Sequence, residues 1–247
     1  MNKIPIRKKW GQNFLIDQNI IKKIIKTLNP KKINHIIEIG PGQGALTKPL
    51  SLMGLKVTAI EIDPMLCTFL NSLNLKNVEI INQDILKYDS NQLPANCMII
   101  GNLPYNISTP ILFKFMGELN WLKMVVMLQK EVAERIVSGP NNKKYGKTSI
   151  MMQSFFDMKL EFNIPRTVFN PKPKITSSLL SIIPKNDIKI KYQNLKVVVE
   201  NAFKHRRKKL VHNLKNILQD DILETIKNKR AEEINVQEYQ MLSQYIK

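Results

Sequence analysis

This 247-residue chain has few of the residues that make covalent or metal chemistry. Its two cysteines, Cys67 and Cys97, lie among apolar neighbours and read as buried thiols, not as a disulfide framework. Its three histidines are scattered, and no metal-ligand spacing links them to the cysteines, so no metal is expected. No apolar run approaches the length of a membrane span, which removes a membrane from the expected partners. The start, Met1 to Lys9, is basic and leads straight into Trp10-Gly11-Gln12-Asn13, with no apolar core of a signal peptide. A cytoplasmic monomer is the expectation, or a protein of an organelle reached by a segment outside this sequence. Acidic residues are also scarce, 20 against 38 basic ones, for a net charge of +18. An excess of that size calls for a polyanionic partner. Abundant Lys, Ile and Asn also fit an AT-rich genome, so where the charge sits matters more than its sum.

The hydrophobic fraction of 43% can fill one large core, or a medium core and a small one. Asp17 caps a predicted helix through about Leu28, with Ile20, Ile21, Ile24, Ile25 and Leu28 on one face. A strand over residues 33–39 then runs into Gly40-Pro41-Gly42-Gln43-Gly44 and a helix from Ala45 through Leu52. Strand, glycine loop and helix start form a nucleotide-cofactor turn, because glycines let backbone approach a ligand without Cβ clashes. The spacing differs from the dinucleotide G-x-G-x-x-G pattern, and the Gly-Lys-Ser/Thr of a phosphate loop is absent. Glu38, two residues before Gly40, suits a ligand that carries an ammonium group rather than a pyrophosphate. That favours S-adenosylmethionine. A second strand, Lys56 to Ile60, ends at Glu61-Ile62-Asp63. Glu61 lies 21 residues after Gly40, near the interval for a carboxylate that grips ribose hydroxyls. Asp63, just before Pro64, is the better helix cap. A third strand, Val78 to Ile81, leads to Asp84, placed to accept from an adenine amino group, and Ile85, placed to pack on the ring.

The fourth strand, Cys97 to Ile100, delivers Gly101-Asn102-Leu103-Pro104-Tyr105. Ligands of open α/β sheets bind at such strand ends. An exocyclic amine on a flat base is a poor nucleophile, because its lone pair is delocalised into the ring. Two acceptors, the Asn102 side-chain oxygen and the Leu103 carbonyl beside the stiff Pro104, can hold its two N–H groups. Tyr105 can stack on the base, worth roughly 1–3 kcal/mol. Later strands are expected at Met124–Leu128, Lys159–Ile164 and Ser178–Ile183, with helices after Ser108, Gln129 and Tyr145. Phe169, before the stiff Pro171-Lys172-Pro173-Lys174 loop, is either a second aromatic wall for a flipped base or a core contact. Lys172 and Lys174 can hold phosphates. After Pro184 strand patterns end and helical spacing continues, the last helix spanning Val236 to Ile246. Lys204, Arg206, Arg207, Lys208 and Lys209 put five cations in six positions beside apolar Phe203 and Leu210, which suits a phosphate backbone. Arg7, Lys8 and Lys9 form a basic arm, either over a ligand and its RNA or simply solvated.

In this order these segments resemble the ribosomal RNA adenine N6,N6-dimethyltransferases, over nearly the whole length. The carriers are Gly11 to Leu15, Glu38 to Gly44, Glu61 to Asp63, Gln83 to Leu86, Gly101 to Ser108, Gln129 to Ile136, Tyr145-Gly146, Phe169 to Lys174 and Phe203 to Leu210. The resemblance implies a Rossmann-like class I S-adenosylmethionine-dependent methyltransferase domain over 1–185 and a small all-helical RNA-binding domain over 186–247. It implies cofactor contacts at Asn13, Leu15, Gly40, Glu61, Asp84 and Asn102, to which Glu38, Gly42, Gly44, Ile62 and Ile85 are added here. It implies two neighbouring adenines in the 3′-terminal hairpin of small-subunit rRNA, within a pre-30S particle, each methylated twice. Relatives that act on large-subunit rRNA share the Asn-Leu/Ile-Pro-Tyr motif, and a non-catalytic RNA-binding or assembly factor on the same fold is the rival of another class. Trp10, Thr148 and Thr176 depart from the commoner family residues without touching a cofactor position.

Overall fold

The computed structural model describes residues 7, 10–117, 120–186 and 188–247. In chain order the strands and helices begin with β1 (Phe14–Leu15), α1 (Gln18–Leu28), β2 (His35–Ile39), α2 (Thr47–Ser51), β3 (Lys56–Glu61) and α3 (Pro64–Ser72). Next come β4 (Val78–Asn82), β5 (Cys97–Asn102), α4 (Ser108–Lys114), β6 (Trp121–Gln129), α5 (Lys130–Ile136) and α6 (Lys147–Phe155). The chain closes with β7 (Phe156–Ile164), β8 (Phe169–Asn170), β9 (Ser177–Pro184), α7 (Tyr192–Ala202), α8 (Leu210–Leu214), α9 (Asp220–Ile226) and α10 (Val236–Leu242).

Seven strands form one sheet in the order β4-β3-β2-β5-β6-β9-β7. The pairs β4-β3, β3-β2, β2-β5 and β5-β6 are parallel, and β6-β9 is antiparallel. Ile36, Ile37, Met98, Ile99, Ile100, Val125 and Val126 are all at most 1% exposed. Strands buried on both faces read as unbroken apolar runs, which is why the sequence marked them. α1 turns Ile21, Ile24 and Leu28 inward, and Asp17 Oδ1 accepts from the Asn19 and Ile20 amides at 2.9 Å. It stops at Asn29, whose φ of 42° is left-handed, just before Pro30. Lys123 Nζ then donates to the last carbonyls, Thr27 O at 2.9 Å and Leu28 O at 3.2 Å. The strand order reverses beside β2, since β3 and β4 lie on one side and β5 on the other. That reversal opens a crevice at the carboxyl ends of the strands.

Among the boundaries that differ from the sequence reading, two bear on the cleft. The helix expected from Ala45 is regular only over Thr47–Ser51, because Gly44 at φ +80° closes a turn onto Pro41 O before it. The fourth sheet strand runs past Ile100 to Asn102. Gly101 permits this: a Cβ there would lie 2.5 Å from the Ile39 carbonyl oxygen of β2. Asn102 is therefore a strand residue, held by the ladder, and not part of a loop.

The chain packs as two compact units, one of residues up to Ala133 with Lys159–Pro184, the other Glu134–Met158 with Lys185–Lys247. The sequence-based division at 185 differs in where it puts residues 134–158. α6 is buried nearly all round, through Ser149, Ile150, Met151, Met152, Ser154 and Phe155, and packs on α7 and α10. A helix without a wet face belongs inside a helical unit. In that unit the Tyr145 hydroxyl donates to Ile234 O at 3.1 Å and the Tyr239 hydroxyl to Ala231 O at 2.7 Å, so both buried phenols are satisfied. α10 ends at Leu242, short of the expected Ile246, because the tail pairs instead: Ile246 bridges Leu218 and the Lys247 amide donates to Ile217 O. No helix among the described residues is long and apolar enough to cross a membrane.

Candidate active site

A cleft of about 960 Å³ of empty space, open to solvent, lies at the carboxyl edge of β2, β3 and β5. Of the sequence-predicted cofactor residues, Asn13, Leu15, Glu38, Gly40, Gly42, Glu61, Ile62, Asp84, Ile85 and Asn102 line it, as do Leu103, Pro104 and Tyr105. Gly44 does not; a Cβ there would face Leu70 at 3.1 Å. Phe169 does not line it either. Residues Phe169 and Leu15 are cross-strand partners in the two-stranded β8-β1 sheet, and the Phe169 ring is 3% exposed within the core cluster.

Glu38 is 1% exposed, and its Oε2 has no hydrogen-bond partner among the described residues. Burial pushes its carboxyl up to about 8; the neighbouring Thr47 hydroxyl opposes this, and the nearby Glu61 adds to it. A buried acceptor without a partner, at the wall of a cleft, is matched by an arriving ammonium group. Glu61 is also raised by burial, opposed by the amides of Asp63 and Gly42, which donate to Oε1 at 3.0 Å and Oε2 at 3.1 Å. Its further lone pairs remain for hydroxyls. Gly42, at φ +57°, passes under β1 so closely that a Cβ would meet the Phe14 ring at 2.9 Å. Asp84 is half-buried, and its Oδ1 accepts from the Leu86 amide at 2.9 Å.

Asn102 has a defined orientation. Its Nδ2 donates to Asn13 O at 2.8 Å. A carbonyl can only accept, so the amide nitrogen must face it and Oδ1 becomes the atom offered to a ligand. The Leu103 amide donates to Met127 O at 3.2 Å, which pins the residue that carries the second acceptor. The Tyr105 hydroxyl shares a hydrogen bond with Ser177 Oγ at 2.5 Å. Ser177 was not marked by the sequence, since one serine at a strand start carries no signal.

The basic residues are placed less uniformly. Arg7 Nε lies 3.8 Å from the buried Asp63 Oδ2, and its guanidinium stacks over Trp10 at 4.9 Å. Gln12 Nε2 donates to the same Asp63 oxygen at 3.0 Å, while Asp63 Oδ1 caps α3 through the Met65 amide. Arg7 and Gln12 are thus both tied to a residue the sequence marked only as a cap. A helix cap uses one carboxylate oxygen and says nothing about the other. Lys8 and Lys9 lie outside the described residues. Lys172 and Lys174 are exposed on a loop braced by Arg166 Nη1, which donates to Lys174 O at 2.8 Å. Lys204, Arg206, Arg207, Lys208 and Lys209 are all exposed. Arg206 is partly committed, to Glu232 at 3.3 Å and to the carbonyls of Lys143 and Tyr145. Lys209 Nζ donates to Asn228 Oδ1 at 3.1 Å.

The model of the family described as ribosomal RNA adenine dimethylase matches residues 4–247. A protein of Francisella tularensis subsp. novicida named ribosomal RNA small subunit methyltransferase A is 41% identical over 260 residues, covering 99% of this chain and 98% of that one. Among solved structures, a dimethyladenosine transferase from Plasmodium falciparum superposes with a TM-score of 0.84 at 24% identity, over 94% of this chain and 99% of that one. The 23S rRNA methyltransferase ErmE does so with 0.74 at 21%, over 94% and 98%. At those identities the two structures speak for the fold alone. A family match and a curated relative that both span nearly the whole length establish that this chain belongs to the ribosomal RNA adenine dimethylase family, whose cofactor is S-adenosylmethionine.

Proposed function

We propose that this enzyme dimethylates the N6 amines of two adjacent adenines in the 3′-terminal hairpin of small-subunit rRNA, acting as a cytoplasmic monomer on a pre-30S particle. The choice of subunit is supported by the full-length relative named for small-subunit rRNA. The chemistry is supported above all by one contact, the Asn102 amide locked onto Asn13 O so that its oxygen is the free acceptor.

S-adenosylmethionine, when bound, supplies an activated methyl group whose C–S bond breaks as the N–C bond forms. Glu38 with Gly40 and Gly42 would hold its amino-acid end, Glu61 its ribose, and Asp84 with Ile85 its adenine. The target adenine must leave its stack to enter the cleft. Asn102 Oδ1 and the Leu103 carbonyl accept from its amino group, drawing the nitrogen toward a tetrahedral shape and freeing its lone pair. Tyr105 supports the ring from one face. The methylated amine then loses a proton to water, which needs no strong base. Positioning and preorganised acceptors carry the rate.

The deciding experiment incubates the enzyme with radiolabelled S-adenosylmethionine and separate unmethylated small and large ribosomal subunits. Label recovered as dimethyladenosine from the small subunit alone is the expected result. Label in the large subunit would move the target, and none in either would favour an assembly factor on this fold.

A further inference from the structure

Ser177 is the first residue of β9 and stands opposite Gln129, the last of β6. Because β9 runs against β6, its amino end reaches the edge where the parallel strands finish. Asn102 and Met127 are paired at that same edge. Ser177 is completely buried, and its Oγ meets the Tyr105 hydroxyl at 2.5 Å. The backbone on either side is held: Thr176 O accepts from the Lys130 amide at 2.9 Å, and Ser178 Oγ donates to Asn163 Oδ1 at 2.7 Å. The serine is thus a fixed point.

Tyr105 is the movable partner. It lies in the turn between β5 and α4 and is half-buried at the wall of the cleft. Its carbonyl accepts from Ser108 Oγ at 3.3 Å, and the neighbouring Pro104 carbonyl accepts from the Ile107 amide at 3.1 Å. Those bonds hold the backbone but leave the ring free to turn about its side-chain torsions. A second anchor at the far end of the phenol removes that freedom. Burial raises the phenol's titration above its ordinary value, opposed by the Ser177 contact, and a phenol is neutral near pH 7 in any case, so the contact is a neutral hydrogen bond.

We propose that Ser177 is a positioning residue for methyl transfer: its buried hydroxyl holds the Tyr105 ring at the angle on which the extruded adenine stacks. This rests on the reading of Tyr105 as the platform for the base. Neither Tyr105 nor Ser177 is among the residues assigned to the cofactor, so loss of the contact acts on the RNA base and not on cofactor binding.

Single-turnover transfer to unmethylated small subunits, cofactor Kd and Tm are measured for Ser177→Ala, Tyr105→Phe, the double variant and Tyr105→Ala. One neutral hydrogen bond predicts that each of the first two slows transfer roughly two- to tenfold. Cofactor Kd stays unchanged, and the double variant is no slower than the slower single, because both remove the same bond. Losses that multiply in the double variant, or wild-type transfer by Ser177→Ala, overturn the proposal. If the serine variant fails to fold, wild-type transfer by Tyr105→Phe overturns it instead. Wild-type transfer by Tyr105→Ala would instead sink the platform reading itself, which keeps the two failures apart.

Discussion

At the residue scale the proposed chemistry rests on two side chains. Glu38 carries an unmatched oxygen in a dry wall, and its carboxyl sits near 8 instead of 4.5. In the free protein it is protonated below that value. An ammonium ligand favours the ionised form, so binding releases a proton and cofactor affinity should climb as pH rises toward about 8, then level off. Folding responds with the opposite sign. The native state holds the extra proton between the unfolded and folded values, so the stability from Glu38 is full below 4.5 and is lost as pH rises through about 8. Glu61 is raised beside it, and the measured profile belongs to the pair. Calorimetric titrations across this range should show Glu38→Gln binding more weakly and with a flatter pH profile. Asn102 makes the sharper case. Asn102→Ala removes the acceptor proposed for the transition state and should cut transfer by about 10²-fold or more. RNA binding, read by filter retention, should persist. Turnover near wild type would refute the role.

At the scale of elements, the site depends on how closely β2 and β5 approach. Gly101→Ala would place a Cβ against the Ile39 backbone, which cannot yield as a flexible side chain would. A loss of about 3 kcal/mol is expected, read as a lower denaturant midpoint with an unchanged slope. The same glycine explains a boundary that sequence reading missed. Glycine is a poor strand former and Pro104 is a stop signal, so the pattern along the chain ends the strand at Ile100. The β1-β8 pair was equally hidden. Two residues pairing across more than 150 positions leave no local pattern. That pairing settles where Phe169 goes: opposite Leu15, with its ring in the core. The sequence left wall and core open because an aromatic before a stiff loop suits both.

Across the whole molecule, the proposed division is that exposed charge supplies affinity for RNA while the cleft supplies the reaction. Lys204, Arg207 and Lys208 are exposed, with no side-chain hydrogen bond or ion pair among the described residues, whereas Arg206 also braces the turn at Lys143–Tyr145. Arg207→Ala and Lys208→Ala should each weaken RNA binding and reduce the slope of log affinity against log salt by about 1, with Tm unchanged. Arg206→Ala should lower Tm as well. Equal Tm values for all three variants would remove the distinction.

The sequence by itself determined the seven strands of the main sheet, the glycine turn, the acidic residues at successive strand ends and the Asn-Leu-Pro-Tyr segment. Those signals are local: apolar runs mark buried parallel strands, and turn chemistry marks the ends where ligands bind. Only the tertiary structure decided which oxygen of Asn102 is free, which oxygen of Asp63 holds Gln12, that residues 134–158 pack with the C-terminal helices, and that Ser177 meets Tyr105. Each of these joins residues far apart in the chain, and such contacts depend on how the elements pack rather than on any spacing along it.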